Sequence, residues 1–295
     1  MGNIPLLAYE NYYGVAILSH QGQETAYAAD NVQAAVDAAV EGDVIVLSPG
    51  NFKEFTLNKQ IRLEKHSGGN SVRVNLDLPD NSVVSNSLFS GGHFEVVVKS
   101  NIQNIYFSEC GINPRTDNGG SIGNVTFDRC DIGSLYYNEF SVNTLYANNC
   151  SISGIYNGQS TNTVSKFTNC MIFWNFDVVG ATFDNCILYD DEVNTIANCI
   201  LTNCLYDAEM IVVGDNSQAN GCYNMSMSEW NDSQDYLLSN NFLGTDGTVV
   251  GQYGGANPFP YEGIGPKVGP DIWSGSGLKY QDGKVTGTYY INPTH

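Results

Sequence analysis

The stretch "FTNCMI", residues 167–172, decides the fold because the chain repeats it. Upstream stand "FSECGI" from 107, "FDRCDI" from 127 and "ANNCSI" from 147; downstream stand "FDNCIL" from 183, "LTNCLY" from 201 and "ANGCYN" from 219. The cysteines Cys110, Cys130, Cys150, Cys170, Cys186, Cys204 and Cys222 are therefore spaced by 20, 20, 20, 16, 18 and 18 residues. Such spacing describes either cysteine chemistry or a coil that returns to one place every turn.

Numbering each coil from its cysteine separates the two. Position −5 holds Ile105, Val125, Leu145, Ser165, Ala181, Cys199 and Ser217, and position −3 holds Phe107, Phe127, Ala147, Phe167, Phe183, Leu201 and Ala219. Position +2 holds Ile112, Ile132, Ile152, Ile172, Leu188, Tyr206 and Asn224. This is period-two alternation, the mark of a strand with one buried face. It is interrupted once, because two residues rather than one separate −3 from the cysteine, so the chain must bend there. Position −1 is Asn149, Asn169, Asn185, Asn203 or Gly221 in five coils, the residue types that best tolerate a positive φ. A strand, a tight bend, a second strand and a return describe a right-handed parallel β-helix, with each coil bonded to those above and below at about 4.8 Å.

That geometry makes the cysteines packing residues. Parallel side chains stacked at about 4.8 Å lie beyond the reach of a disulfide. No CxxC pair supplies convergent metal ligands, and His20, His66, His93 and His295 all lie outside the ladder. A buried column of small, soft hydrophobes is the expectation, with all eight cysteines free.

Around the repeat, residues 1–29 are aromatic-rich and read as an arm or short strand. In "DNVQAAVDAAVEGDVIVLSPG", Val32, Ala35, Val36 and Ala39 form one apolar helical face, which predicts a capping helix at about 31–41. Asp30 or Asn31 is its expected N-cap and Gly42 its expected C-cap. The β-helix, including this cap, is expected over 30–240, and 241–295 reads as an irregular Gly/Pro-rich cap or tail in which "YQDGKVTGTYYIN" suggests a terminal hairpin.

Composition narrows the partners. Thirty-one acids against 12 bases give a formal charge of −19, which repels nucleic acid and anionic surfaces. Neutral glycans, proteins and divalent cations remain. No apolar run reaches the length of a membrane span. The opening "MGNIPLLAYENYYGVAILSHQGQ" lacks the basic and apolar regions of a secretory signal, so an extracellular, cell-surface or virion location implies a trimmed signal or another exit such as lysis.

The segment "VQAAVDAAVEGDVIVLSPGNFKEFTLNKQIRLE" resembles the opening of pectin-lyase-like parallel β-helix proteins, where an amphipathic helix caps the first coil. The "F-x-N-C-x-I" coils resemble that family's central repeats, and "DGTVVGQYGGANPFP" resembles the closing segment of β-helix proteins on gut-bacterial surfaces or their phages. The resemblance implies a fold rather than an activity. Hydrolases of the family resemble one another in NTD, DD, GHG and RIK motifs. Here Asp190-Asp191 is the only adjacent Asp pair, "GGH" at 91–93 lies upstream, and RIK is absent. Family lyases set an arginine against a calcium-bound acidic cluster; Arg62, Arg73, Arg115 and Arg129 share no register with one. The leading expectation is a non-catalytic structural or recognition protein of a cell surface or virus particle. The alternative is a polysaccharide lyase or glycoside hydrolase.

Three surface features are candidates for function. An acidic edge places Asp191 and Glu209 at the same +5 position, near Asp190, Glu192 and Asp207. Asp190, Asp191 and Glu209 are its catalytic candidates, and Asp191, Asp207 and Glu209 its Ca²⁺ ligands; no other cofactor is expected. Equally, the edge is ordinary solvated charge. An aromatic column at +6 carries Tyr136, Tyr156 and Phe176, and outward Tyr146 lies at −4, with faces and polar tips suited to sugar rings. Finally, Met171, Phe173, Ile187, Tyr189 and Leu205 make an outward apolar stripe that needs a cover: the protein's own tail, a second subunit in a homotrimer, or an external partner.

Overall fold

The residue before each ladder cysteine has a left-handed backbone in every coil: φ is 52° at Glu109, 53° at Arg129, 52° at Asn149, 52° at Asn169, 54° at Asn185, 52° at Asn203 and 62° at Gly221. The bend inferred from the doubled spacing is therefore the fold's repeating corner. These values come from a computed structural model, which describes residues 13–66, 69–117, 119–136, 138–158, 164–174, 176–190, 192–225, 250–251, 272–281 and 284–291.

Main-chain bonds run through the corner without a break. The N–H at −1 donates to the −2 carbonyl of the next coil, as in Asn149 to Thr168 at 3.0 Å and Asn185 to Thr202 at 2.9 Å. The N–H at +1 donates back to the preceding cysteine's carbonyl, as in Met171 to Cys150 and Leu205 to Cys186, both 2.9 Å. The thiol then completes the corner. Cys150 Sγ donates to the Asn148 carbonyl at 3.2 Å, Cys170 to Thr168 at 3.3 Å and Cys204 to Thr202 at 3.4 Å. Sulfur also accepts, from Cys130 N to Cys150 Sγ at 3.4 Å and from Cys204 N to Cys222 Sγ at 3.3 Å. Alanine would fit the volume but leave these groups with fewer partners.

The coils stack into a β-solenoid of about eight turns. A 14-stranded sheet carries the strands after the corner and an eight-stranded sheet those before it; three-stranded and two-stranded sheets form the remaining side. Pairing between coils is parallel and in register, for example Phe127 with Phe107 and Ala147, and Ile172 with Ile152 and Leu188. The interior is a set of columns of like residues. Phe107 and Phe127 stack at 5.3 Å, as do Phe167 and Phe183 at 5.0 Å, with Ala147 breaking the run between them.

The ends depart from the sequence reading in detail. The helix covers Val32–Ala38, shorter than 31–41, and buries Val32, Ala35 and Val36. Asn31 makes no side-chain cap bond, and Gly42 does not end the helix. Instead Lys59 Nζ binds the Ala39 carbonyl at 2.7 Å, while Gly42, at φ 90°, turns the chain into strand Val44–Leu47. Part of the expected arm is a hairpin: Val15–His20 pairs with Gln23–Ala28 and also lies antiparallel on Val44–Leu47, covering that edge of the first coil. Near the other terminus, Ile272–Gln281 and Lys284–Ile291 form an antiparallel pair. The rest of the expected 241–295 tail, Val250 and Gly251 aside, lies outside the described residues.

All eight cysteines are buried and free, and burial pushes the Cys150 and Cys186 thiols well above their ordinary value. Thiol titration should find almost no reactive group in the native protein and eight after denaturation; a native disulfide within the ladder would contradict the stacking. A second expectation concerns the corner itself. A left-handed backbone costs a residue with Cβ roughly 1–2 kcal/mol, and asparagine tolerates it best. Glu109→Asn should therefore raise unfolding stability by up to about 1 kcal/mol in urea melts, whereas Asn185→Val should lower it by at least that much.

Candidate functional site

The flank following the corner gathers the most side chains with chemical potential. Tyr136 and Tyr156 are paired in register, and their rings stack at 4.4 Å with 12° between planes. Gly154 makes this possible: a Cβ there would lie 2.9 Å from Tyr156 Cε2 and 3.0 Å from the Trp174 carbonyl oxygen. Burial holds the Tyr156 phenol above its ordinary value; Tyr136 and the charge of Asp190 act in the same direction, and a hydrogen bond with Ser134 opposes them. Ser134, Tyr136, Tyr156 and Asp190 thus belong to one neighbourhood.

Trp174 joins it and was not singled out in the sequence. Its backbone is left-handed, at φ 60°, its N–H donates to the Tyr189 carbonyl at 3.0 Å, and half of its surface (51%) is exposed, near Phe173 at 6.3 Å. A bulky residue held in the left-handed region and left in solvent is uncommon, and such strain concentrates at working surfaces. The only sequence signal was a tryptophan at a turn position, one residue past the strand Met171–Phe173.

The remaining aromatic candidates fall elsewhere. Phe176 pairs with Ile155, not Tyr156, because the intervening turn shifts the register; the +6 column therefore ends at Tyr156. Its side chain lies outside the described residues. Tyr146 is exposed, but on the eight-stranded sheet, paired with Thr126 and Lys166.

Of the acidic edge, Asp191, and with it the expected Asp191–Glu209 stack, lies outside the described residues. Ile187 pairs with Leu205, an offset of 18, but Asn194 pairs with Ile211, an offset of 17. One residue fewer separates these pairs in the later coil. The two turns open alike: Asp190 Oδ1 accepts from Glu192 N at 3.2 Å, and Asp207 Oδ1 from Glu209 N at 2.9 Å. Nor are these aspartates solvated charge. Asp190 and Asp207 are both 0% exposed, while Glu209 stands in solvent. Among the described residues no three His, Cys, Asp or Glu side chains converge as a metal cluster.

In the apolar stripe, Met171, Ile187 and Leu205 are buried within the single chain, and Phe173 and Tyr189 are half-buried. Part of the cover is the chain itself. Gly251 N donates to the Asn203 carbonyl at 2.9 Å, and a Cβ on Gly251 would sit 3.1 Å from Ile187 Cγ1 and 3.5 Å from Leu205 Cβ. Among the described residues no helix is long and apolar enough to cross a membrane.

No family model, curated protein or solved structure matches the chain. The site has therefore to be read from its own geometry.

Because Gly251 has φ 75° and lies directly on Ile187, Gly251→Val introduces both backbone strain and a collision. It should lift the segment, lower stability by about 1–2 kcal/mol and increase binding of a hydrophobic dye. An unchanged melt and dye signal would mean that the apolar stripe does not depend on this cover.

Proposed function

We propose that the protein is a non-catalytic recognition solenoid that binds a neutral glycan on the flank formed by Ser134, Tyr136, Tyr156 and Trp174. The observation that carries this is the stacked Tyr136–Tyr156 pair beside the exposed, left-handed Trp174, seated by the absence of a side chain at Gly154. An indole face supplies the apolar plane for the C–H side of a sugar ring, and the hydroxyls of Ser134 and the two tyrosines exchange hydrogen bonds with its OH groups. A charge of −19 favours a neutral ligand over an anionic one. Fixed aromatic rings lose little entropy on binding, so a regular scaffold suits weak, repeated contacts with an extended chain.

This reading sets the chain on a cell surface or virus particle, in keeping with its likeness to pectin-lyase-like β-helix proteins in the opening and coil motifs, a likeness those stretches of sequence alone support. The lyase or hydrolase alternative draws no help from Asp190 or Asp207, and its exposed candidate is Glu209. Acid–base chemistry needs carboxyls within reach of the glycosidic oxygen, and Asp190 and Asp207 have no exposed surface. A homotrimer would use what remains open of the stripe, Phe173 and Tyr189.

A glycan array, with a reducing-sugar assay on the same neutral and uronic polysaccharides, tests the proposal. Binding without turnover is expected, and Trp174→Ala and Gly154→Ala should each weaken it about tenfold or more while Tyr146→Ala leaves it unchanged. Turnover, or binding indifferent to Trp174 and Gly154, would reject it.

A further inference from the structure

The hairpin that covers the first coil has an outer edge of its own. Gln23–Ala28 ends the 14-stranded sheet, and among the described residues no strand pairs with its far side. Five of its six residues are exposed and Tyr27 is half-buried. Natural sheets blunt such strands with proline, lysine or a bulge. This strand, QETAYA, has none of these: its pairing with Val15–His20 runs without a shift from Val15 opposite Ala28 to His20 opposite Gln23. Glu24 is its one charged residue.

The phase of the hydrogen bonds fixes which groups the edge presents. The hairpin turns through Gln21 and Gly22, with φ of 49° and 78°, a two-residue turn closed by the His20–Gln23 pair. At its other end Ala29 N donates to the Gly14 carbonyl at 2.8 Å. Bonded and non-bonded pairs alternate along an antiparallel ladder. Gln23, Thr25 and Tyr27 therefore bond to Val15–His20, and Glu24, Ala26 and Ala28 direct their main-chain N–H and C=O groups outward.

We propose that Gln23–Ala28 is the docking edge for a second copy of this chain, the two strands pairing antiparallel about a two-fold axis at Ala26. Two properties select a second copy. The first is self-complementarity. A strand opposed to itself must set outward residues against outward residues, and the register centred on Ala26 engages all three: Ala26 meets its mate, and Glu24 meets Ala28. The neighbouring registers engage only two. This register also sends the two Glu24 side chains to opposite ends of the contact and sets Thr25 opposite Tyr27, on the face where Tyr27 packs against the core. The second property is charge. A net charge of −19 opposes self-association. Joined end to end, two solenoids of about eight turns extend away from each other over roughly 40 Å apiece, several Debye lengths. Residues 51–74, which build the coils beside the hairpin, hold five of the 12 bases against two acids, so this end repels a copy less than the acidic remainder does. The pairing does not rest on the glycan reading.

Sedimentation velocity of the full chain over a concentration series tests it. The parent should sediment at twice its 32.1 kDa chain mass. Ala26→Pro removes an outward N–H but no bond to Val15–His20, so it should keep the parent's melt and sediment as a monomer. Ala26→Lys opposes two like charges across the axis and should weaken the dimer about fivefold or more. Ala26→Cys sets two thiols on Cα atoms about 5.5 Å apart and should yield a disulfide-linked dimer on mild oxidation. Thr25→Cys, whose mate lies about 7–8 Å away on the diagonal, should yield far less. Phe173→Asp, on the apolar stripe, should leave the dimer intact. If Ala26→Pro fails to fold, the lysine and cysteine variants decide. A dimer that resists both Ala26→Pro and Ala26→Lys, or one lost with Phe173→Asp, would overturn the proposal. So would a monomeric parent; if deleting residues 1–12 then produced the dimer, the edge would belong to the chain's own first residues instead.

Discussion

The structure depends on one corner: a left-handed residue followed by a buried cysteine. In that pair the main chain turns without losing a hydrogen bond to its neighbours, because the N–H groups on both sides of the bend reach adjacent coils. The thiol supplies a further donor to the −2 carbonyl and, at Cys150 and Cys222, an acceptor for the N–H of the preceding ladder cysteine. A solenoid has no long-range contacts to repair a badly made turn, since each coil touches only its neighbours. Stability must therefore be supplied locally and repeated, which is why the same short phrase recurs along the chain.

Regularity at the corner permits irregularity on the flank. The corners hold their register while the turns beyond them vary in length, shifting Phe176 against Ile155 and losing a residue between the Leu188 and Asn194 pairs. On the same flank stand the unusual features: a tryptophan left in solvent, a glycine that seats a tyrosine ring, and two buried aspartates that each open a turn. A second corner of the same kind appears in the later coils, where Gly180, Asn198 and Asn216 have φ of 74°, 56° and 57°. Cys199 follows it as the other cysteines follow theirs, donating to the Ala197 carbonyl at 3.3 Å. The eighth cysteine is thus a corner residue as well as an inward-facing one.

Covering matters as much as coiling. At the N-terminal end the hairpin Val15–Ala28 lies on the first coil's sheet and the helix Val32–Ala38 buries its apolar face against the core. On the later coils, Val250 and Gly251 lie against a face that becomes apolar from Met171 onward. The change from Asp131 and Ser151 to Met171, Ile187 and Leu205 along one outward column records where the sheet meets solvent and where it meets protein.

How much was legible follows from the range of each interaction. Alternation, the doubled spacing and Asn at −1 are local rules, so the sequence alone determined the parallel coils, the left-handed corner and the burial of the cysteines. The apolar stripe was legible as a surface needing a cover, but the identity of residues 250 and 251 at that cover was not, because they are far along the chain from Ile187. The aromatic column was misaligned at Phe176 for a simple reason. Counting from the cysteine assumes constant turn length, and a single residue lost or gained exchanges one neighbour for another. Only the tertiary structure fixed those registers, since main-chain pairing between coils, not position in the repeat, decides that Phe176 meets Ile155 and that Asn194 meets Ile211.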